Sequence, residues 1–101
     1  VSKQRSHLQL TVRHREISAF RDVLLQVKTM TPQVRQQWLE DNSEAMRSAF
    51  SVFVDVSEKM LEQTPKDSVS MELTYQLITT LREAEALAAE LFDQSSAQLQ
   101  S

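Results

Sequence analysis

The chain contains no glycine and no cysteine, and only two of its 101 residues are proline. Glycine is the usual occupant of positions that need a positive φ. Its absence disfavours tight strand-to-strand turns, phosphate-cradling loops and the dinucleotide-binding turn together. Without cysteine there is no disulfide framework and no thiolate to act as nucleophile or metal ligand. Nothing then points to an oxidising compartment, and a cytoplasmic location is the expectation. No apolar run approaches the roughly 20 residues that would span a bilayer, so no transmembrane segment is expected. No signal-peptide pattern opens the chain. It begins at Val1 rather than at methionine, which leaves room for a cleaved leader or a larger parent protein.

What is present is helical. The two prolines each follow a threonine, at Thr31-Pro32 and Thr64-Pro65, and divide the chain into three pieces of similar length. A threonine oxygen accepts an otherwise idle backbone N–H, and proline suits the first helical position because its missing donor would have no partner there. Each pair therefore marks a helix start, with Asp67 placed as a capping acid after the second. In the first piece Leu10, Ile17 and Leu24 recur every seven residues, with Phe20 and Val27 beside them. In the second, Leu39, Met46, Phe53 and Met60 share one recurring position, with Asn42, Ala49, Val56 and Gln63 three residues further on. Counting all its apolar side chains, that helix is greasy over roughly 200° of its circumference. The third piece carries Leu73, Leu77, Leu81, Ala84, Leu87, Ala88 and Leu91, with Met71, Ile78, Phe92 and Leu99 in a second row.

These patterns predict helices over about 6–29, 32–63 and 66–98 within a single domain, 1–101. Two local signals compete with that reading. Leu8, Leu10 and Val12 alternate with polar residues, as in an extended arm. Asp41-Asn42-Ser43-Glu44 could cap a new helix inside the second piece. A heptad carried over three turns outweighs the first signal, and the lack of a glycine or proline breaker outweighs the second. Helices of about 30 residues run about 45 Å. Joined by short connections they must alternate in direction. The expected fold is all-α, an elongated up-down-up three-helix bundle or a helical hairpin with coiled-coil-like seams that completes its core by self-association. The two Thr-Pro marks stand 33 residues apart, near the period of several helical repeats. Each such period here holds one long helix rather than two, so an array of repeats is not expected.

Charge is unevenly spread. The first piece holds Lys3, Arg5, Arg13, Arg15, Arg21 and Lys28 against Glu16 and Asp22, while the other two are acidic and the whole chain carries a formal charge of −3. A basic helix lying beside two acidic ones gains favourable pairing within the chain, and that is the expected use. The competing use is a basic end made of Lys3, Arg5, Arg13, His14 and Arg15 that meets nucleic-acid phosphate. The basic residues are few and no base-stacking aromatics are interleaved among them, so nucleic acid is not the expected partner.

No pattern of reactive groups emerges. His7 and His14 are the only histidines, and seven residues of helix separate them by about 10.5 Å, too far to share an ion. Neither has an acid three residues earlier, as a bundle di-metal site would require. Asp55, Glu58 and Glu62 share a helical face, as do Glu40, Asp41 and Glu44, but both groups lie opposite the apolar seam, where water keeps carboxylates ordinary. Lys59 stands four residues after Asp55, the favoured order for a helical ion pair. The serines have no neighbouring histidine in sequence and no strand-turn setting. No catalytic residue, metal or cofactor is expected.

Function is therefore expected from burial rather than bond making. Double-width apolar arcs on two helices suggest a non-catalytic protein–protein interaction module, a small adaptor, chaperone or regulatory protein, with a second copy of itself as the first partner. The expected contact residues are Trp38, Met46, Phe53 and Met60 of the second helix with Ile78, Phe92 and Leu99 of the third. Asn42 falls at a seam position, where a buried amide fixes register or marks a bend. Two other readings are an amphipathic coat on a lipid or polymer granule and a nucleic-acid regulator acting through the basic first helix.

Overall fold

The computed structural model describes residues 2–100, with side chains described for Arg5 and for residues 7–93. It contains three helices, α1 (Ser2–Lys28), α2 (Pro32–Gln63) and α3 (Ser68–Gln100), and no strand among the described residues. Helix α1 is continuous through the alternating stretch. Leu10 is 1% exposed while Leu8 and Val12 are 64% and 42% exposed. Residues two apart would share a face of a strand but lie about 200° apart around a helix, and the burial follows the helix.

The two Thr-Pro pairs do different work. Thr31 is the N-cap of α2; its hydroxyl accepts the Val34 N–H at 3.5 Å, and Pro32 opens the helix. Thr64 instead ends α2, with its amide donating to the Met60 carbonyl at 2.9 Å and its hydroxyl donating to the same oxygen. Helix α3 then starts at Ser68 rather than at Lys66, because Asp67 takes over the capping: its Oδ1 accepts the Ser70 N–H at 2.9 Å and its Oδ2 the Ser70 hydroxyl at 2.9 Å. A carboxylate satisfies an orphan helix donor at least as well as a threonine hydroxyl, so the aspartate wins the position. Between these ends α2 is unbroken. Asn42 does not fix register across the bundle; its Nδ2 donates at 2.8 Å to the Trp38 carbonyl of its own helix.

All three helices pack together, which selects the bundle over the hairpin. The chain is elongated, 55 × 20 × 16 Å. Contacts between α1 and α3 climb in parallel order, from His7–Ser70 through Arg21–Glu83 to Lys28–Glu90. Helix α2 runs the other way, so that Leu39 and Met46 meet Leu24 and Val27, while Phe53 and Met60 meet Leu10 and Ile17. Phe20 marks the centre, edge-on to Phe50 with ring centroids 5.1 Å apart and to Phe53 at 5.6 Å.

The closest pairing is between α1 and α3, which are not sequence neighbours. On α3 the buried positions are Ser70, Thr74, Leu77, Thr80, Leu81, Ala84, Ala88 and Leu91. Thr80, Ala84 and Ala88 follow one another at four-residue steps, a row of small side chains that lets another backbone approach. Leu24, Leu77 and Leu91 fill the space around them, each stabilising by about 1.5–3 kcal/mol through burial. Helix α2 is held less closely. Its only buried residues are Leu39, Met46 and Ser57. Its second inward row runs one residue later than a strict seven-residue rule places it, through Phe50 and Ser57 rather than through Ala49 and Val56 alone, because a straight helix turns every 3.6 residues and not every 3.5.

Candidate functional site

Helix α1 presents a polar row between its apolar ones. His7, His14, Arg21 and Lys28 recur every seven residues, and each reaches α3. His7 Nε2 lies 2.8 Å from Ser70 Oγ, and His14 Nε2 lies 3.1 Å from Thr80 Oγ1. Arg21 Nη1 donates to Glu83 Oε2 at 2.9 Å, and Lys28 Nζ is 3.2 Å from Glu90 Oε1. Two basic side chains of α1, Arg21 and Lys28, thus meet carboxylates of α3.

A serine and a histidine brought together by the fold invite a catalytic reading, which the sequence spacing had not suggested. The proton positions argue against a nucleophile and base. Ser70 Oγ donates its single proton to Asp67, so it can only accept from His7 Nε2–H. The imidazole nitrogen that faces the serine is then a donor and has no lone pair with which to take the serine's proton. Ser70 is also fully buried, with no access for a substrate carbonyl. The same logic holds one step along. Thr80 Oγ1 donates to the Gln76 carbonyl at 2.9 Å, leaving it to accept from His14. Both contacts are clasps between helices.

Arg13 pairs with Glu16 at 2.8 Å, His14 is turned to Thr80, and Arg5 and Arg15 are exposed. The carboxylate faces lie in solvent. Lys59 meets Asp55 at 3.1 Å, as their spacing implies. Among the described residues no group of three or more histidine, aspartate or glutamate side chains could hold a metal ion, and no helix is long and apolar enough to cross a membrane.

Of the expected contact residues, Met46 is buried in the chain's own core, and Trp38 packs against the same cluster. Phe53, Met60 and Ile78 are half-buried against the other cluster, and Phe92 is exposed. The side chains of Leu99 and Lys3 lie outside the described residues. The apolar surface that the chain leaves open lies mainly elsewhere.

Because α2 stands off from its neighbours, a cleft opens between it and α3. Its first part, of about 230 Å³, is lined by Leu61, Met71, Tyr75 and Ile78 with the Thr64-Pro65-Lys66 connection. Past Leu61 and Ile78 it continues for about 280 Å³ along Val54, Ser57 and Leu81, with Glu58, Arg82 and Glu85 at its rim. Met71 and Tyr75 are 56% and 67% exposed. Ser57 is only 6% exposed, yet its hydroxyl has no hydrogen-bond partner. On the opposite side of α2 a second hollow is lined by Leu8, Val12, Val56 and Met60, with Arg13, Glu16 and Lys59 among its polar residues. Tyr75 is the residue least foreseeable from the seven-residue rows. Its signal was its place four after Met71 and three before Ile78, which puts all three on one helical face.

No protein-family model matches this chain, and no curated protein or solved structure matches it either.

Proposed function

We propose that this chain is a non-catalytic protein–protein interaction module, a small adaptor, chaperone or regulatory protein, whose docking surface is the apolar cleft between α2 and α3. The observation that carries this reading is the contiguous exposed row of Leu61, Met71 and Tyr75 beside half-buried Ile78. A small helical domain that leaves large apolar side chains together at the surface gains free energy when another chain covers them, about 25 cal/mol for each Å² removed from water. A cleft between two long helices suits an amphipathic helix, with apolar side chains repeating every three or four residues. The rim carries both signs of charge, Glu58 and Glu85 with Arg82, which favours a defined register.

The test is site-specific photocrosslinking in the native host. A photoreactive residue at position 75 is expected to give a discrete protein adduct that Met71→Glu abolishes. The same residue at position 23 of α1 is expected to give none. Equal labelling at 75 and 23, or labelling at 75 that Met71→Glu leaves intact, would remove the cleft as the docking surface.

A further inference from the structure

We propose that the α2–α3 cleft is closed by the same cleft of a second copy of this chain, α3 lying antiparallel against α3 about a two-fold axis at the level of Ile78. The proposal rests on reading the cleft as an interaction surface and names its occupant. Ile78 borders both parts of the cleft. On its N-terminal side along α3, Met71 and Tyr75 project into solvent. On its C-terminal side lies the hollow of Val54, Ser57 and Leu81. A two-fold axis between projection and hollow carries each copy's projecting pair into the other's hollow. One contact is thereby made twice, as an isologous interface requires.

The charges obey the same operation. Lys66 lies on the side of the projections, while Glu58, Arg82 and Glu85 lie on the side of the hollow. Turning one copy about the axis brings Lys66 towards the two glutamates, so opposite signs meet there twice. Like charges meeting there would oppose the pairing.

The incoming Tyr75 side chain is apolar along its ring and polar at its tip, so its ring can fill the hollow while its hydroxyl stays at the polar rim of Glu58, Arg82 and Glu85.

The test begins with sedimentation equilibrium of the purified chain and follows the contact with single cysteines, which have no background because the native sequence has none. A dimer is expected. Tyr75→Glu should make it monomeric with unchanged helical circular dichroism. Ile78→Cys should be joined to its twin by a short bismaleimide, and Val23→Cys should not. A chain that stays monomeric at about 100 μM would overturn the second copy as occupant, while the photocrosslinking experiment would still decide whether the cleft docks another protein. A dimer that survives Tyr75→Glu and links through position 23 rather than 78 would overturn the proposal by placing the contact on another face.

Discussion

His7 Nε2 and Ser70 Oγ are 2.8 Å apart although 63 positions separate them in the chain, and their contact joins α1 to the first turn of α3. The serine hydroxyl and amide both donate to Asp67, at 2.9 Å each. One carboxylate therefore caps α3 and orients the group that holds α1. Asp67→Ala would leave the Ser70 N–H and O–H without that acceptor at a fully buried position. The expected loss is about 2 kcal/mol or more, combining a lost cap with unpaired donors. Glu62→Ala, on the exposed face of α2, should change stability by less than about 0.5 kcal/mol. Urea denaturation of the two variants beside the native chain measures both.

Much of this architecture was legible in residue spacing, and the exceptions have physical causes. Leu10, Ile17 and Leu24 recur every seven residues and are all buried, because a helix with one deeply packed neighbour shows a narrow, regular seam. Thr31-Pro32 announced a helix start correctly. Thr64-Pro65 did not, since the capping preference of a nearby aspartate overrode it. The polar row of α1 was present in the sequence as His7, His14, Arg21 and Lys28, but polar residues at a seam position look like a solvated face until their partners on α3 are known. Burial of individual large residues was the least legible quantity. Met46 went to the core while Met71 stayed outside, and both stand in apolar rows of their own helices. Which row faces inward depends on how three helices share one interior.

The small residues of α3 explain why α1 and α3 approach most closely, and they can be tested directly. Ala84 is fully buried in that contact, whereas Ala86, two residues on, is exposed. Ala84→Leu should force the helices apart and destabilise the chain by about 1–3 kcal/mol, the usual effect of overpacking. Ala86→Leu keeps a strong helix former at the surface and should be near neutral. Thermal unfolding of the pair, followed by circular dichroism, separates packing from propensity. Equal stability of the two variants would mean that the small row is not what sets the approach.

The ion pairs between α1 and α3 should matter little to stability. Lys28 and Glu90 are each close to half exposed, and so is Glu83, the partner of Arg21. Exposed pairs of this kind contribute about 0–1 kcal/mol because water and salt screen them. Lys28→Ala is accordingly expected to lower stability by no more than about 1 kcal/mol, and the difference should shrink further in concentrated salt. A larger loss that resists salt would assign the pair a structural role that its exposure does not suggest.

The uneven hold on α2 predicts uneven dynamics. Its N-terminal half is fixed by Leu39 and Met46, both in the core shared with Leu24, Ala84 and Leu91. The half from Val52 to Gln63 has no buried apolar residue; Ser57 alone is buried there, and clefts flank it on both sides. The buried residues of the adjacent cluster, Leu10, Ile17, Leu77 and Leu81, all belong to α1 and α3. Local opening follows such differences in buried contact. In dilute solution, backbone amides of residues 52–62 should exchange with deuterium at least about tenfold faster than those of residues 77–91, a difference of about 1.4 kcal/mol in opening free energy. If a second copy covers the cleft as proposed, raising the protein concentration should also slow exchange in 52–62. Uniform protection along α2 at low concentration would show that its C-terminal half is held as firmly as the rest, and that the clefts beside it are not where the bundle opens.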